Sequence, residues 1–136
     1  MSRMTIKYKE VKTISEFIDY IKIRADVFIL EQGFAPGWEP DEDDKVSKHF
    51  IALDSKKVIA TGRYREIKKG EIKIERMAVR KDCRGKGIGN GILSYMINDI
   101  KKHKPKKIWT RSQPQAMPFY DKFGFVKSLL RKIALH

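Results

Sequence analysis

A chain of 136 residues, 41% hydrophobic and 35% charged, is the size of one domain and has apolar residues enough for a core of its own, which excludes an intrinsically disordered chain. Its apolar runs are only a handful of residues long, too short for a membrane-spanning helix, and its single cysteine, Cys83, excludes an internal disulfide and suits a reducing compartment, most simply the cytoplasm. The formal charge of +13 points to an anionic partner, yet residues 31 to 54 hold seven acids and two bases, an island of −5 in a chain otherwise at +18.

The opening MSRMTIKYKE has no apolar core ahead of a small-residue cleavage site, an expectation against secretion. TIKYKEV alternates and predicts a first strand. SEFIDYIKIRADVFILEQ then sets Phe17, Ile21, Arg24 or Ala25, and Phe28 at helical spacing behind a Ser15 cap. GFAPGWEPDEDD, rich in Pro and Gly, predicts a loop, and KHFIALDSKKVIATGRYREI two strands around a turn at residues 54–57. GEIKIERMAV is a further strand whose alternation places Glu75 and Met77 on one face and Arg76 and Ala78 on the other.

After a glycine-rich loop, Ile88, Ile92, Met96 and Ile100 recur every four residues, predicting an amphipathic helix with Lys101 and Lys102 at its end and Pro105 beyond. KKIWTRS predicts a short strand, PQAMPFYDKFG a helix ended by Gly124, and FVKSL a last strand. Eleven residues follow Phe125, enough on this reading for one short strand or a helical turn rather than a full hairpin. The order predicts one α/β domain over residues 1–136: a mixed, mostly antiparallel sheet flanked by helices, with a shortened C-terminal strand region. Three scattered histidines and one cysteine form no ligand cluster, so no metal is expected.

The stretch VRKDCRGKGIGNGI, between strand and helix, is the densest in chemistry. Gly85, Gly87 and Gly89 let the backbone turn and bring its N–H groups against an oxyanion, at the unsatisfied and partly positive first turn of the helix. Arg80, Arg84 and Lys86 add charge at the rim, so phosphate or pyrophosphate is the natural occupant. The P-loop pattern fails, because Asn90 and Gly91 follow Gly89 where lysine and a hydroxyl residue are required, and the dinucleotide fingerprint fails in both spacing and context.

RGKGIG, Arg84 to Gly89, resembles the Arg/Gln-x-x-Gly-x-Gly/Ala pyrophosphate loop of the GNAT superfamily of N-acetyltransferases. QPQAMPFYDKFGF resembles that family's second signature, with Gln113, Ala116, Tyr120, Gly124 and Phe125 in register, and Gln113 standing where many relatives have asparagine. The resemblance covers roughly residues 5 to 126. It implies an acetyltransferase-type fold and transfer of an acetyl group from acetyl-coenzyme A to an amine acceptor in a ternary complex. It further implies that the strand at Met77, Ala78 and Val79 pairs with the pantetheine arm and that the amides of Arg84, Gly85, Lys86, Gly87, Ile88 and Gly89 hold the pyrophosphate. Gln113 would contact the cofactor or a neighbouring backbone. Tyr120 would protonate the departing thiolate, and an ordinary phenol is protonated at neutral pH as an acid must be. Glu75, on the strand facing the thioester slot, is the candidate base, directly or through water.

IRADVFILEQ resembles a subgroup with an Arg-x-x-Val-Phe-x-x-Glu-Gln first helix, which would put Arg24, Glu31 and Gln32 near a small-molecule or peptide amine. The acidic WEPDEDD beyond it reads either as a solvated loop or as a lure for a cationic acceptor. Two other classes compete. Acyl-homoserine lactone synthases carry an arginine, a Val-Phe pair, a tryptophan and acids in the order of Arg24, Val27, Phe28, Trp38 and Asp41 to Asp44. A basic nucleic-acid module would use KKHKPKKIWTR, but with only Trp109 near its lysines it lacks a stacking platform. The short C-terminus leaves monomer and strand-borrowing homodimer both open.

Overall fold

The computed structural model describes residues 4–112, 114–129 and 132–135. Seven strands form one sheet in the order β1-β2-β3-β4-β5-β7-β6, comprising β1 (Ile6–Glu10), β2 (Lys48–Asp54), β3 (Lys57–Lys68), β4 (Glu71–Val79), β5 (Lys107–Arg111), β6 (Phe125–Leu129) and β7 (Lys132–Leu135). All neighbours are antiparallel except β4 and β5. The mixed, mostly antiparallel sheet is therefore as the sequence predicts. The expectation of one short strand or a helical turn after Phe125 is corrected: β6 and β7 pair antiparallel, and β7 also pairs with β5. Ile133 and Ala134 at 2% and 1% exposure explain why so short a tail folds back, since the apolar pair enters the interior.

Helix α1 (Ile14–Arg24) covers one sheet face and α2 (Ile88–Lys101) the other. The cap of α1 is Thr13 rather than Ser15: its hydroxyl accepts from Glu16 N–H at 3.1 Å while Glu16 accepts from the Thr13 amide, a reciprocal capping box. The stripe buried by α1 is Tyr20, Ile23 and Arg24, with Val27 and Phe28 following in a π-helical continuation, Ala25–Glu31. The wider turn offsets the face expected from a pure 3.6-residue period. On α2, Ile88, Ile92, Met96 and Ile100 are buried as predicted, against Phe50, Ala52 and Ile74. The last helix, α3 (Met117–Asp121), follows a 3-10 turn, Pro114–Ala116.

Two departures from regular strand geometry shape the site. In β4, Glu75 opposes Arg63 and Ala78 opposes Thr61, so Arg76 and Met77 share Gly62 as partner in a bulge. Arg76 takes φ +57°, and Thr61 Oγ1 donates to its carbonyl at 2.9 Å. The bulge corrects the predicted alternation: Glu75 lies on the α1 side with Arg63 and Met77 on the α2 side, instead of sharing a face. Pairing of β4 with β5 stops at Ile74 and Thr110, while β4 runs on to Val79, so a slot opens between them.

Candidate active site

The glycine loop occupies the turn into α2. Gly85 and Gly87 both have φ +78°, and nothing lies within 4 Å of the place a Cβ would occupy on either. Gly87 is the N-cap of α2 and supplies no side-chain hydrogen bond, so first-turn N–H groups face open space. This bare cradle of backbone N–H groups has the polarity that suits an oxyanion such as a pyrophosphate. A cavity of about 430 Å³ runs from it along Ala78 and Val79 to Tyr120; Arg84, Gly85, Gly87, Ile88 and Gly89 line it, whereas the exposed Lys86 does not. Gln113 lies outside the described residues.

A second cavity, about 440 Å³, lies past the last β4–β5 pair and includes Glu75, Arg76, Thr110 and Arg111. Gln32, Met77, Ala116 and Tyr120 line both, so the two spaces meet at the tyrosine. Tyr120 is 6% exposed, packed edge-on against Phe119 and Phe125. Burial pushes its phenol up to about 12, opposed by a hydrogen bond with Thr110.

Glu75 sits at the wall of the second cavity inside a cage of cations. Its carboxylate accepts from Arg63 at 2.7 and 2.9 Å, from Arg65 at 3.1 and 3.2 Å, and lies 2.9 Å from Lys73 Nζ. Burial alone would raise its pKa; the bonds from Arg65, Lys73 and Arg63 outweigh that and hold it at about 2. Its partners extend the network. Arg63 also binds Asp41 at 2.6 and 3.0 Å and Asp44 at 2.6 Å, and Arg76 binds Glu39 at 2.5 Å and Asp41 at 2.7 Å.

Two predicted acceptor residues lie elsewhere. Arg24 is fully buried, paired with Glu39 and with Asp44 at 2.6 and 3.1 Å, and lines neither cavity. Glu31 grips Arg84 through two bonds of 2.5 and 2.7 Å, beside the glycine loop. Of the three, only Gln32 reaches the cavity junction. The acidic loop is neither solvated nor a lure as a whole, since Glu39, Asp41 and Asp44 turn inward onto arginines. Sequence reasoning missed Lys73, Arg76, Thr110, Arg111 and Ser112 as cavity residues. The strand end in KKIWTRS was the available signal for the last three, because side chains at the tip of a strand beside a splay enter the gap.

The fold is one that acyltransferases share. In fold the chain is similar to an acyl-CoA N-acyltransferase from Pseudomonas aeruginosa, with a TM-score of 0.84 at 20% identity over 96% of this chain and 97% of the other. An acetyltransferase of Brucella melitensis, solved with acetyl-CoA, gives a TM-score of 0.79 at 12% identity over 98% and 88%. The chain belongs to the acetyltransferase (GNAT) domain family, whose model matches residues 8–133. Among its relatives is the uncharacterized N-acetyltransferase YjcF of Bacillus subtilis (strain 168), 32% identical over 114 residues, which are 84% of this chain and 81% of that protein.

Proposed function

We propose that this protein transfers the acetyl group of acetyl-coenzyme A to an amine, with both substrates bound together. The observation that carries this reading is the meeting of two cavities at Met77 and Tyr120, one ending in an anion cradle and the other in a polar, charged space. The co-substrate supplies an acetyl group activated as a thioester. The amides of residues 84–89 would hold its pyrophosphate, and the free backbone of residues 77–79, unpaired on the β5 side, would bind the amide-bearing arm.

The acceptor nitrogen, in its neutral form, attacks the carbonyl carbon; the C–N bond forms, the C–S bond breaks, and the nitrogen loses one proton as the sulfur gains one. Tyr120 gives the proton to sulfur and regains one from solvent. Its buried phenol is still protonated at neutral pH, as this role needs. A carboxylate held at about 2 is a weak proton acceptor, so Glu75 acts best by orienting the incoming amine or its water while the proton passes to solvent. Gln32 stands at the junction, placed to contact either substrate.

Acetyl-coenzyme A should raise the melting temperature, by the equivalent of about 2.7 kcal/mol at a hundred times its Kd, and an amine should release free thiol from it. No melting shift at millimolar acetyl-coenzyme A overturns the reading.

A further inference from the structure

The ion pairs around the second cavity narrow the class of acceptor, an inference that rests on the acetyl-transfer reading. Glu75 lines that cavity, and four more carboxylates, Glu39, Asp41, Asp43 and Asp44, are joined to it through shared arginines. Five cations answer them among the described residues: Arg24, Arg63, Arg65, Arg76 and Lys73. The acidic island is thereby neutralised where a cationic acceptor would need it. Arg111 is the cation left over. It lines the same cavity, is exposed, and stands on β5 one residue beyond the last pairing with β4. No carboxylate lies within ion-pair distance of it among the described residues; its neighbour is the Trp109 ring, 5.9 Å from the guanidinium carbon.

The surrounding field has the same sign. Lys132 lies 4.2 Å from the centroid of that ring, and the approach of another cation, Lys107, lowers its pKa. A second positive charge on the acceptor would enter this field unfavourably, whereas an oxyanion would complete it. A guanidinium presents a planar fork of donors that matches carboxylate and phosphate oxygens two at a time. The cavity, about 440 Å³, is of small-molecule size.

We propose that the acceptor is a small amine bearing an oxyanion, either carboxylate or phosphate, and that Arg111 receives the oxyanion at the cavity mouth while the amine reaches the junction at Tyr120. The test is thiol release from acetyl-coenzyme A with four amines of matched length: butylamine, putrescine, γ-aminobutyrate and aminopropyl phosphate. One of the last two should exceed the first two at least about ten-fold in kcat/KM, the worth of one charged hydrogen bond, and the better of the pair identifies the oxyanion. Arg111→Gln should raise KM for that amine by a similar factor with little change in kcat, while Lys101→Gln, on the far end of α2, changes neither. Preference for putrescine or butylamine, or an equal effect of Arg111→Gln on every amine, overturns the proposal. If acetyl-coenzyme A still raises the melting temperature but neither oxyanion-bearing amine releases thiol, this inference falls alone; if the melting shift is absent, the acetyl-transfer reading falls with it.

Discussion

Tyr120 carries the sharpest consequence at the scale of one side chain. With its phenol at about 12, it keeps its proton well above the pH at which an ordinary tyrosine, near ~10, would be half ionised. Raising the pH first frees the acceptor amine, whose ordinary pKa is about 10.4, and only later removes the tyrosine proton. The rate should therefore climb with pH through the amine's range without a falling limb near 10, and a descending limb centred there in a kcat/KM profile would count against a buried proton donor. Tyr120→Phe should lower kcat about 100-fold while leaving acetyl-coenzyme A affinity, measured by titration calorimetry, nearly unchanged. The register of QPQAMPFYDKFGF was enough to single out this residue. Its burial was not legible, because Thr110 of β5 and Phe125 of β6 close around it from other elements.

At the scale of elements, the two ends of the glycine loop make different demands on their glycines. Gly87 turns the chain into α2 with a positive φ and faces open space, so Gly87→Ala strains the backbone by roughly 1–2 kcal/mol and fills the cradle. Gly91, one turn further on, is pressed against the Tyr8 hydroxyl and ring, and a methyl group there would have to push Tyr8 out of place. Overpacking of that kind costs about 1–3 kcal/mol, partly offset by a gain near 1 kcal/mol from helix propensity. The two variants should separate cleanly: Gly87→Ala loses acetyl-coenzyme A affinity out of proportion to its melting temperature, and Gly91→Ala the reverse, with thermal melts run with and without cofactor as the measurement. Such strand, loop and helix units are legible because their periodicity and turn residues are local. The bulge at Arg76 is not, since one extra residue in a strand leaves the run IERMAV looking regular. The β6–β7 hairpin was missed for a related reason: a four-residue strand shows almost no alternation, and β5 supplies its partner from more than twenty residues away.

Across the whole molecule, the arginine and carboxylate network ties α1, the acidic loop, β3 and β4 together through pairs separated by 10 to 37 residues. In the sequence these charges look like surface residues, and only long-range pairing turns them inward. Buried charges held this way stabilise the fold only while each has its partner. Asp44 and Glu75 are both held at about 2, burial being outweighed by their arginines, against ordinary values of 3.8 and 4.5. Because the folded pKa is the lower one, their contribution is complete above about pH 4.5 and is lost as pH falls toward 2, on the order of 2 to 3 kcal/mol each. Urea unfolding should therefore show stability dropping across that window. Arg63→Met removes the hub that Asp41, Asp44 and Glu75 share and should cost about 3–5 kcal/mol at neutral pH. The carboxylates it abandons would regain pKa values nearer the ordinary ones, so the variant has less left to lose on acidification, and the gap between the two proteins should narrow as pH falls from 5 to 3. A gap that stays constant would mean that Arg63 stabilises the fold through packing of its aliphatic stem, with the charge network contributing little.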